Sequence, residues 1–220
     1  MRPAIVAVAI LSAYLSGSIP SGLLIGKYGW QIDPREHGSG NIGFTNVWRT
    51  IGLPAASLVL IADAGKGAAA VLFAGFLFGG APTAIQLVSQ PRLGDATVVA
   101  LAALVALLGN NFSVFLRFRG GKGVGIASGI ILALEPAIAA ALFLIWLTVV
   151  VLTRYVSLAS LIIAVLFPLL MYYFQPDNPA YIVFALTAAA LVFVRHRANL
   201  VRLMNGTELK VGRGEPGSDL

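Results

Sequence analysis

The feature that most limits what this chain can fold into is a series of apolar runs, each long enough to cross a bilayer and nearly free of charge. They occupy 4–26, 52–79, 96–118, 156–174 and 179–195, and crossing ~30 Å of hydrocarbon takes about 20 residues of helix. A further stretch, 123–153, is too long for one span. Glu135-Pro136 divides it, because proline disfavours helical backbone in the residue before it; a short helix over 123–134 and a second over 136–153 are expected. The expected fold is therefore an all-α integral membrane protein with seven transmembrane helices. Composition agrees, since 58% of the 220 residues are hydrophobic, 11% are charged and the mean hydropathy is +0.88, outside the range of soluble domains.

An odd number of spans puts the termini on opposite sides, and the Lys/Arg distribution selects the orientation. With the N-terminus outside and the C-terminus cytoplasmic, twelve of the fifteen basic residues lie inside, Arg2 and Arg92 lie outside, and Lys66 falls within a span. A cleaved leader over 2–20 is the competing reading of the first segment. Its apolar run continues through Leu23-Leu24-Ile25, too long for a typical leader core. Residues 1–203 read as the transmembrane domain and 204–220 as a polar, mobile cytoplasmic tail.

The polar segments do not scatter across this topology. SGSIPSG (16–22), HGSGNIGFTNVWR (37–49), LGNNFSVFLRF (108–118), RGGKGVGIASG (119–129) and RHRANLVRL (195–203) all fall at the inner side. Glycine lets backbone N–H groups approach an oxyanion closely, and a following helix N-terminus adds partial positive charge. Gly120-Gly121-Lys122-Gly123 before a helix has that form, with Lys122 adding a full charge. Ser39, Asn41, Thr45 and Asn46 offer neutral donors, and Arg49 offers a bidentate fork. The ligand implied is an anion carrying phosphate. Small residues are equally what closely packed membrane helices require, so SGSIPSG and GIASG read first as packing. Asp63 and Lys66, charged within a span and spaced i, i+3, are either an internal pair or a substrate contact.

Several chemistries are excluded. Without cysteine there are no disulfides, thiolate zinc sites or cysteine nucleophiles. The nine acidic residues form no cluster able to hold a divalent metal, so neither a metal nor another cofactor is expected. The GGKG turn is not a Walker A loop, because Gly123 stands where a magnesium-ligating Ser or Thr is needed. His37 and His196 are the only histidines and give no recognisable nucleophile-base-acid triad. A membrane site that binds phosphate, lacks metal and has few bases suits a substrate that is already activated. Acyl transfer from a mixed carboxylic-phosphoric anhydride fits, with an oxyanion cradle supplying most of the catalysis. Nothing points to nucleic acid, and a transporter of a phosphate-bearing metabolite is the competing class.

Together, HGSGNIGFTNVWR, RGGKGVGIASG, SGSIPSG and RHRANLVRL resemble the bacterial acyl-phosphate-dependent glycerol-3-phosphate acyltransferases, the PlsY family. The resemblance runs to about Leu203. It implies transfer of a fatty acyl group from acyl-phosphate to glycerol 3-phosphate, giving lysophosphatidate and phosphate, the first acylation of phospholipid biosynthesis. It also implies a bacterial cytoplasmic membrane location with the site facing the cytoplasm, and as a partner the soluble enzyme that makes acyl-phosphate. By motif, Ser39, Gly40, Asn41, Thr45, Asn46, Arg49, Gly120, Gly121 and Gly123 are expected to bind substrate, and Lys122, His196 and Asn199 to be catalytic. Lys122 and Arg49 would hold phosphate, and His196 and Asn199 would lie near glycerol 3-phosphate. The proton of the attacking hydroxyl has two candidate acceptors, His196 and a phosphate oxygen of the substrate. Asp63, Lys66, Asn110, Asn111 and Ser128 are further candidates. Three departures stand out. Phe44 replaces the family's usual alanine, Gly125-Ile126 replaces Ala-Thr, and Asn110, which cannot titrate, replaces a histidine.

Overall fold

The computed structural model describes residues 2–78 and 96–211. Arg92 and Arg213, which enter the charge count above, and residues 212–220 of the expected tail lie outside the described residues.

Among the described residues the secondary structure is helical throughout. Helix α1 (Arg2–Ser18) continues through α2 (Ser21–Leu24) into a π-turn at Ile25–Gly29. A short α3 (Phe44–Thr50) precedes α4 (Leu53–Leu77), and α5 (Ala96–Asn111) ends in a 3-10 turn at Val114–Leu116. Then follow α6 (Val124–Leu134), α7 (Pro136–Thr153), α8 (Val156–Phe174), α9 (Pro179–Arg195) and α10 (Arg197–Met204). The break expected at Glu135-Pro136 is present. Glu135 is extended at φ −145°, ψ 83°, as its following proline requires.

Every expected apolar segment is helical, but they are not seven equal spans. Five stretches, Pro3–Gly29, Leu53–Leu77, Ala96–Leu116, Pro136–Thr153 and Val156–Phe174, are each long and apolar enough to cross a membrane. The pair α9 and α10, bent by 61° at His196, makes a sixth if taken as one. Helix α6 has 11 residues, about 17 Å at 1.5 Å per residue, shorter than the ~30 Å of a full hydrocarbon core. Length and composition thus support five or six spans, with α6 as a short helix between the inner loops and Glu135.

Small residues decide how closely these helices pack. A Cβ on Gly17 would run into the Ala106 backbone, joining α1 to α5, and one on Gly129 would run into the Ala64 backbone, joining α6 to α4. Gly22 likewise lies against the Ile42 backbone. The glycines of SGSIPSG and GIASG are therefore packing positions, where close backbone approach replaces the driving force that water gives soluble cores. The main apolar cluster runs through α1, α4, α5, α6, α7, α8 and α9, with Leu107, Ile126, Ile130, Leu134 and Phe184 at its centre.

The tail differs from the expectation of a mobile segment beginning at residue 204. After Met204 the chain turns at Gly206 and packs back onto the bundle. Glu208 and Val211 are buried, the Val211 amide donates to the Arg154 carbonyl at 3.0 Å, and Val211 joins Val150, Val156 and Ala159 in a small core. One apolar residue and one buried carboxylate suffice to fasten a segment whose composition otherwise reads as solvated.

Candidate active site

The first inner loop owes its shape to Asn46. Its Oδ1 accepts from the Ser39 amide at 2.8 Å and from Ser39 Oγ at 3.1 Å, while its Nδ2 donates to the carbonyls of Pro34 and His37. Both ends of this buried amide are consumed within the loop. Asn46, expected to bind substrate, holds Ser39 in place through this amide. Arg35 grips Asp33 through Nη2 at 2.6 Å and holds its carboxyl down at about 2. His37 is exposed, its Nδ1 against the Asp33 carbonyl, outside the site.

The GGKG turn is built on the end of α5 and braced from α9. The Gly121 amide donates to the Asn110 carbonyl at 2.9 Å, and the Gly120 amide to the Asn111 carbonyl at 3.2 Å. Arg195 donates through Nε to the Gly121 carbonyl at 3.0 Å and through Nη2 to the Gly120 carbonyl at 2.7 Å, its guanidinium over the Phe112 ring. With these carbonyls satisfied, Gly123 turns into the left-handed region at φ 88° and starts α6 with no side-chain cap. The first amides of α6 therefore remain open donors at the positive end of the helix dipole.

Lys122 projects from this turn to Asn199, donating Nζ to Oδ1 at 2.6 Å. The opposite end of that amide donates to Glu208 Oε1 at 2.7 Å. Glu208 also accepts from Ser157 Oγ at 2.9 Å and from Arg202 Nε at 2.7 Å. Burial alone would raise this carboxyl, but the hydrogen bonds from Asn199, Arg202 and Ser157 outweigh it and keep it below the ordinary range. Burial pulls the Lys122 ammonium down to about 8, reinforced by Arg202, Arg49 and Arg195 and opposed by Glu208. Arg49 donates one Nη2 hydrogen to the Leu209 carbonyl at 2.5 Å, leaving its buried Nε with no protein partner. Burial lowers this guanidinium too.

His196, just past the end of α9, is buried and its Nδ1 lies 2.8 Å from the Val192 carbonyl. That contact fixes Nδ1 as the protonated nitrogen and leaves Nε2 as an acceptor. Burial, with the nearby Lys122 charge, pulls this imidazole down to about 4, so it is neutral at pH 7.

These groups line one cavity of about 520 Å³. Of the expected residues, Ser39, Asn41, Thr45, Asn46, Arg49, Gly121, Lys122, Gly123, His196 and Asn199 reach it. So do Asp63, Asn110 and Ser128. Ser128 Oγ is bonded to the Gly125 carbonyl at 2.7 Å. Gly40, Gly120, Lys66 and Asn111 do not line it. A Cβ on Gly120 would strike the Asn110 carbonyl, so this position must be glycine for the turn to close. Asp63 and Lys66 form the internal pair, at 2.8 Å, with Lys66 also donating to the Ile19 carbonyl at 2.7 Å.

The cavity has two chemically distinct ends. One is the polar wall above; the other is apolar and includes Leu60, Ile131, Phe143, Trp146, Ile163 and Phe167. Phe44 also lines the cavity, its ring 5.5 Å from Trp48 and 6.3 Å from Trp146, and Trp146 stacks on Phe143. Its bulk belongs to this aromatic wall. Sequence reasoning missed Glu208 and assigned no role to Arg195. Only the low acid count hinted at Glu208, since a lone carboxylate beyond the last helix has the signature of a solvated tail.

A helical membrane protein whose cavity joins cations and open backbone amides to an apolar chamber is built to hold an amphiphilic anion. The family model described as "Glycerol-3-phosphate acyltransferase" matches residues 7–206, and this chain belongs to that family of membrane acyltransferases. It is 43% identical over 204 residues to glycerol-3-phosphate acyltransferase 2 of Moorella thermoacetica, covering 93% of this chain and 96% of the relative. It is 42% identical over 210 residues to the Bordetella pertussis glycerol-3-phosphate acyltransferase, covering 93% and 91%. The crystal structure of PlsY (YgiH), an integral membrane glycerol 3-phosphate acyltransferase in its glycerol 3-phosphate form, superposes with a TM-score of 0.83 at 35% identity, covering 94% of this chain and 96% of that one. Its lysophosphatidic acid form gives a TM-score of 0.81 at 34% identity, covering 94% and 95%.

Proposed function

We propose that this acyltransferase takes its acyl group from acyl-phosphate and transfers it to glycerol 3-phosphate, releasing lysophosphatidate and inorganic phosphate. The observation that carries the reading is the cavity's division into a cationic, amide-rich end and an apolar chamber. The acyl chain occupies the chamber, and the phosphate of the anhydride sits against Lys122, the Gly123 backbone and the open amides of α6, on the turn that Gly121 shapes. Arg49 completes the oxyanion contacts, joined by Ser39 when its hydroxyl turns from Asn46 Oδ1 to the ligand, while His196 and Asn199 take glycerol 3-phosphate.

In the reaction the glycerol hydroxyl oxygen bonds to the acyl carbonyl carbon and the bond from that carbon to the phosphate oxygen breaks. Phosphate leaves with the electron pair. The hydroxyl proton passes to His196 Nε2 or to a phosphate oxygen. With the imidazole held near 4, a phosphate monoester dianion, whose second pKa is about 6, is the stronger base of the two. Preorganised donors aimed at developing negative charge supply the largest share of such a barrier reduction.

We also place the site at the cytoplasmic face of a bacterial inner membrane, in a seven-helix topology with the N-terminus outside, where it would meet acyl-phosphate from a soluble enzyme. The Lys/Arg distribution supports this orientation. The test of function supplies purified protein with labelled glycerol 3-phosphate and, separately, acyl-phosphate, acyl-CoA and acyl carrier protein thioester. Lysophosphatidate from acyl-phosphate alone is expected; product from a thioester alone, or from no donor, overturns the reading.

A further inference from the structure

Behind the catalytic cavity lies a second concavity of about 760 Å³. Arg35, Arg117, Arg119 and Glu36 give it its chemistry, and Gly40 and Gly120 form its inner edge. The two linings interleave along the chain. Ser39 and Asn41 line the catalytic cavity while Gly40 lines this one; Gly121 lines the first and Gly120 the second; Ile42 touches both.

The backbone that presents these arginines is strained. Arg117 at φ 50° and Phe118 at φ 63° are consecutive non-glycine residues in the left-handed region, at roughly 1–2 kcal/mol each. The strain is held by surrounding bonds. The Phe118 amide donates to the Ser113 carbonyl at 2.8 Å, the Arg119 amide to the Leu116 carbonyl at 3.0 Å, and Ser113 Oγ to the Ser18 carbonyl at 2.5 Å. Backbone strain maintained in this way is characteristic of functional positions. Arg35 is neutralised by Asp33. The side chains of Arg117 and Arg119 are exposed and have no hydrogen-bond or ion-pair partner among the described residues. Two unpaired guanidinium forks suit a phosphate. Glu36 changes the specificity, because a carboxylate repels a bare anion but accepts hydrogen bonds from hydroxyl groups.

We propose that Arg117, Arg119 and Glu36 form a capture site for a hydroxyl-bearing phosphate, glycerol 3-phosphate, which then crosses the Gly40–Gly120 edge into the catalytic cavity. This rests on the acyl-transfer reading above. The glycerol phosphate headgroup of an anionic lipid presents the same chemistry, and the experiment separates the two sources.

The doubly substituted Arg117→Gln/Arg119→Gln protein is assayed in detergent at low ionic strength. KM for glycerol 3-phosphate is expected to rise five- to twentyfold with KM for acyl-phosphate and kcat within twofold, and Arg117→Lys/Arg119→Lys to recover part of the loss. Added salt should raise the wild-type KM towards that of the variant. An unchanged KM, or loss of kcat together with both KM values, overturns the proposal. The comparison is repeated in nanodiscs of phosphatidylglycerol and of phosphatidylcholine; an effect confined to phosphatidylglycerol assigns the arginines to lipid and also overturns it. Equilibrium dialysis of labelled glycerol 3-phosphate against Lys122→Ala protein, with and without the two arginine substitutions, reads the site without turnover. At least a fivefold loss of affinity is expected and unchanged affinity counts against capture, so failure of this site and failure of the acyl-transfer reading are separately visible.

Discussion

Lys122 and Glu208 are joined through a single amide: Asn199 accepts from Lys122 Nζ at 2.6 Å and donates to Glu208 Oε1 at 2.7 Å. The carboxylate thus orients the amide, and the amide aims the ammonium, without a direct ion pair that would neutralise the charge the substrate needs. Because Glu208 is anchored by Ser157 and Arg202 as well, α8, α10 and the turn after α10 all fix one lysine on the GGKG turn.

Replacing Lys122 with alanine removes the cation and its aim together. Turnover is expected to fall by about 10²–10³, the usual loss for one preorganised oxyanion donor, while the protein elutes and melts as wild type. Lys122→Arg should recover little, since a planar fork does not reproduce a point charge directed at Asn199 Oδ1. Steady-state kinetics on protein matched for thermal stability checks both.

Glu208 is a stability position as well as a positioning one. Its side chain is 1% exposed, and Glu208→Ala leaves Arg202, Asn199 and Ser157 without their shared acceptor. Removing one partner from such a buried set costs about 3–5 kcal/mol, so a lower melting temperature and lost activity are expected together. The carboxyl is held below its ordinary value. Its stabilisation is therefore present above the ordinary carboxylate range and disappears as pH falls through the lowered folded value. Thermal melts in detergent between pH 7 and pH 3 should show wild-type stability falling and the Glu208→Gln protein changing less.

Activity should be limited on both sides of neutrality. Lys122 is held at about 8 in the free protein, and its cation is lost as pH rises through that value. The profile of kcat/KM should thus turn down near pH 8 and steepen little with salt. On the acid side, a limb near about 6 identifies the substrate phosphate as proton acceptor, whereas activity persisting towards the His196 value of about 4 identifies the imidazole. His196→Ala tests the same choice, as near-full turnover would favour phosphate.

The aromatic wall made by Phe44, Trp48, Trp146 and Phe143 borders the apolar chamber. Phe44→Ala opens that wall, and the ratio of kcat/KM for bulkier over shorter acyl-phosphates should rise by at least about tenfold, the lower end of the roughly 10–200-fold that a methylene-sized difference supports in an apolar pocket. Competition between two acyl-phosphates of different length measures the ratio directly; no change would place the chain elsewhere.

Single cysteines test orientation cleanly, because the chain has none of its own. Cysteine at Arg119 should react with an impermeant maleimide only in inside-out vesicles, and cysteine at Asp177 only in right-side-out cells. The reverse pattern would invert the topology.

Sequence alone determined where the long apolar helices lie, because bilayer thickness dictates apolar length and Glu135-Pro136 dictates a break; the end of α5 at Asn111 and the short α3 and α10 came only with the structure. It also determined that Lys122, Arg49, His196 and Asn199 belong to one side, since charged residues cannot scatter through hydrocarbon. Only the tertiary structure decided which polar groups remain free for ligand. Asn46 and Gly120 carry the same motif signature as Ser39 and Gly121, yet Asn46 spends both ends of its amide on the loop, and Gly120, packed against the Asn110 carbonyl, stays out of the cavity that Gly121 lines. The same is true of Glu208, whose isolation beyond the last helix gives it the look of a solvated residue. Its role arises when the chain folds back over 205–211, a long-range contact fixed by Val211 and by three hydrogen-bond donors from distant positions. Hydropathy acts locally and can be read along the chain; the pairing of donors with acceptors is settled across it.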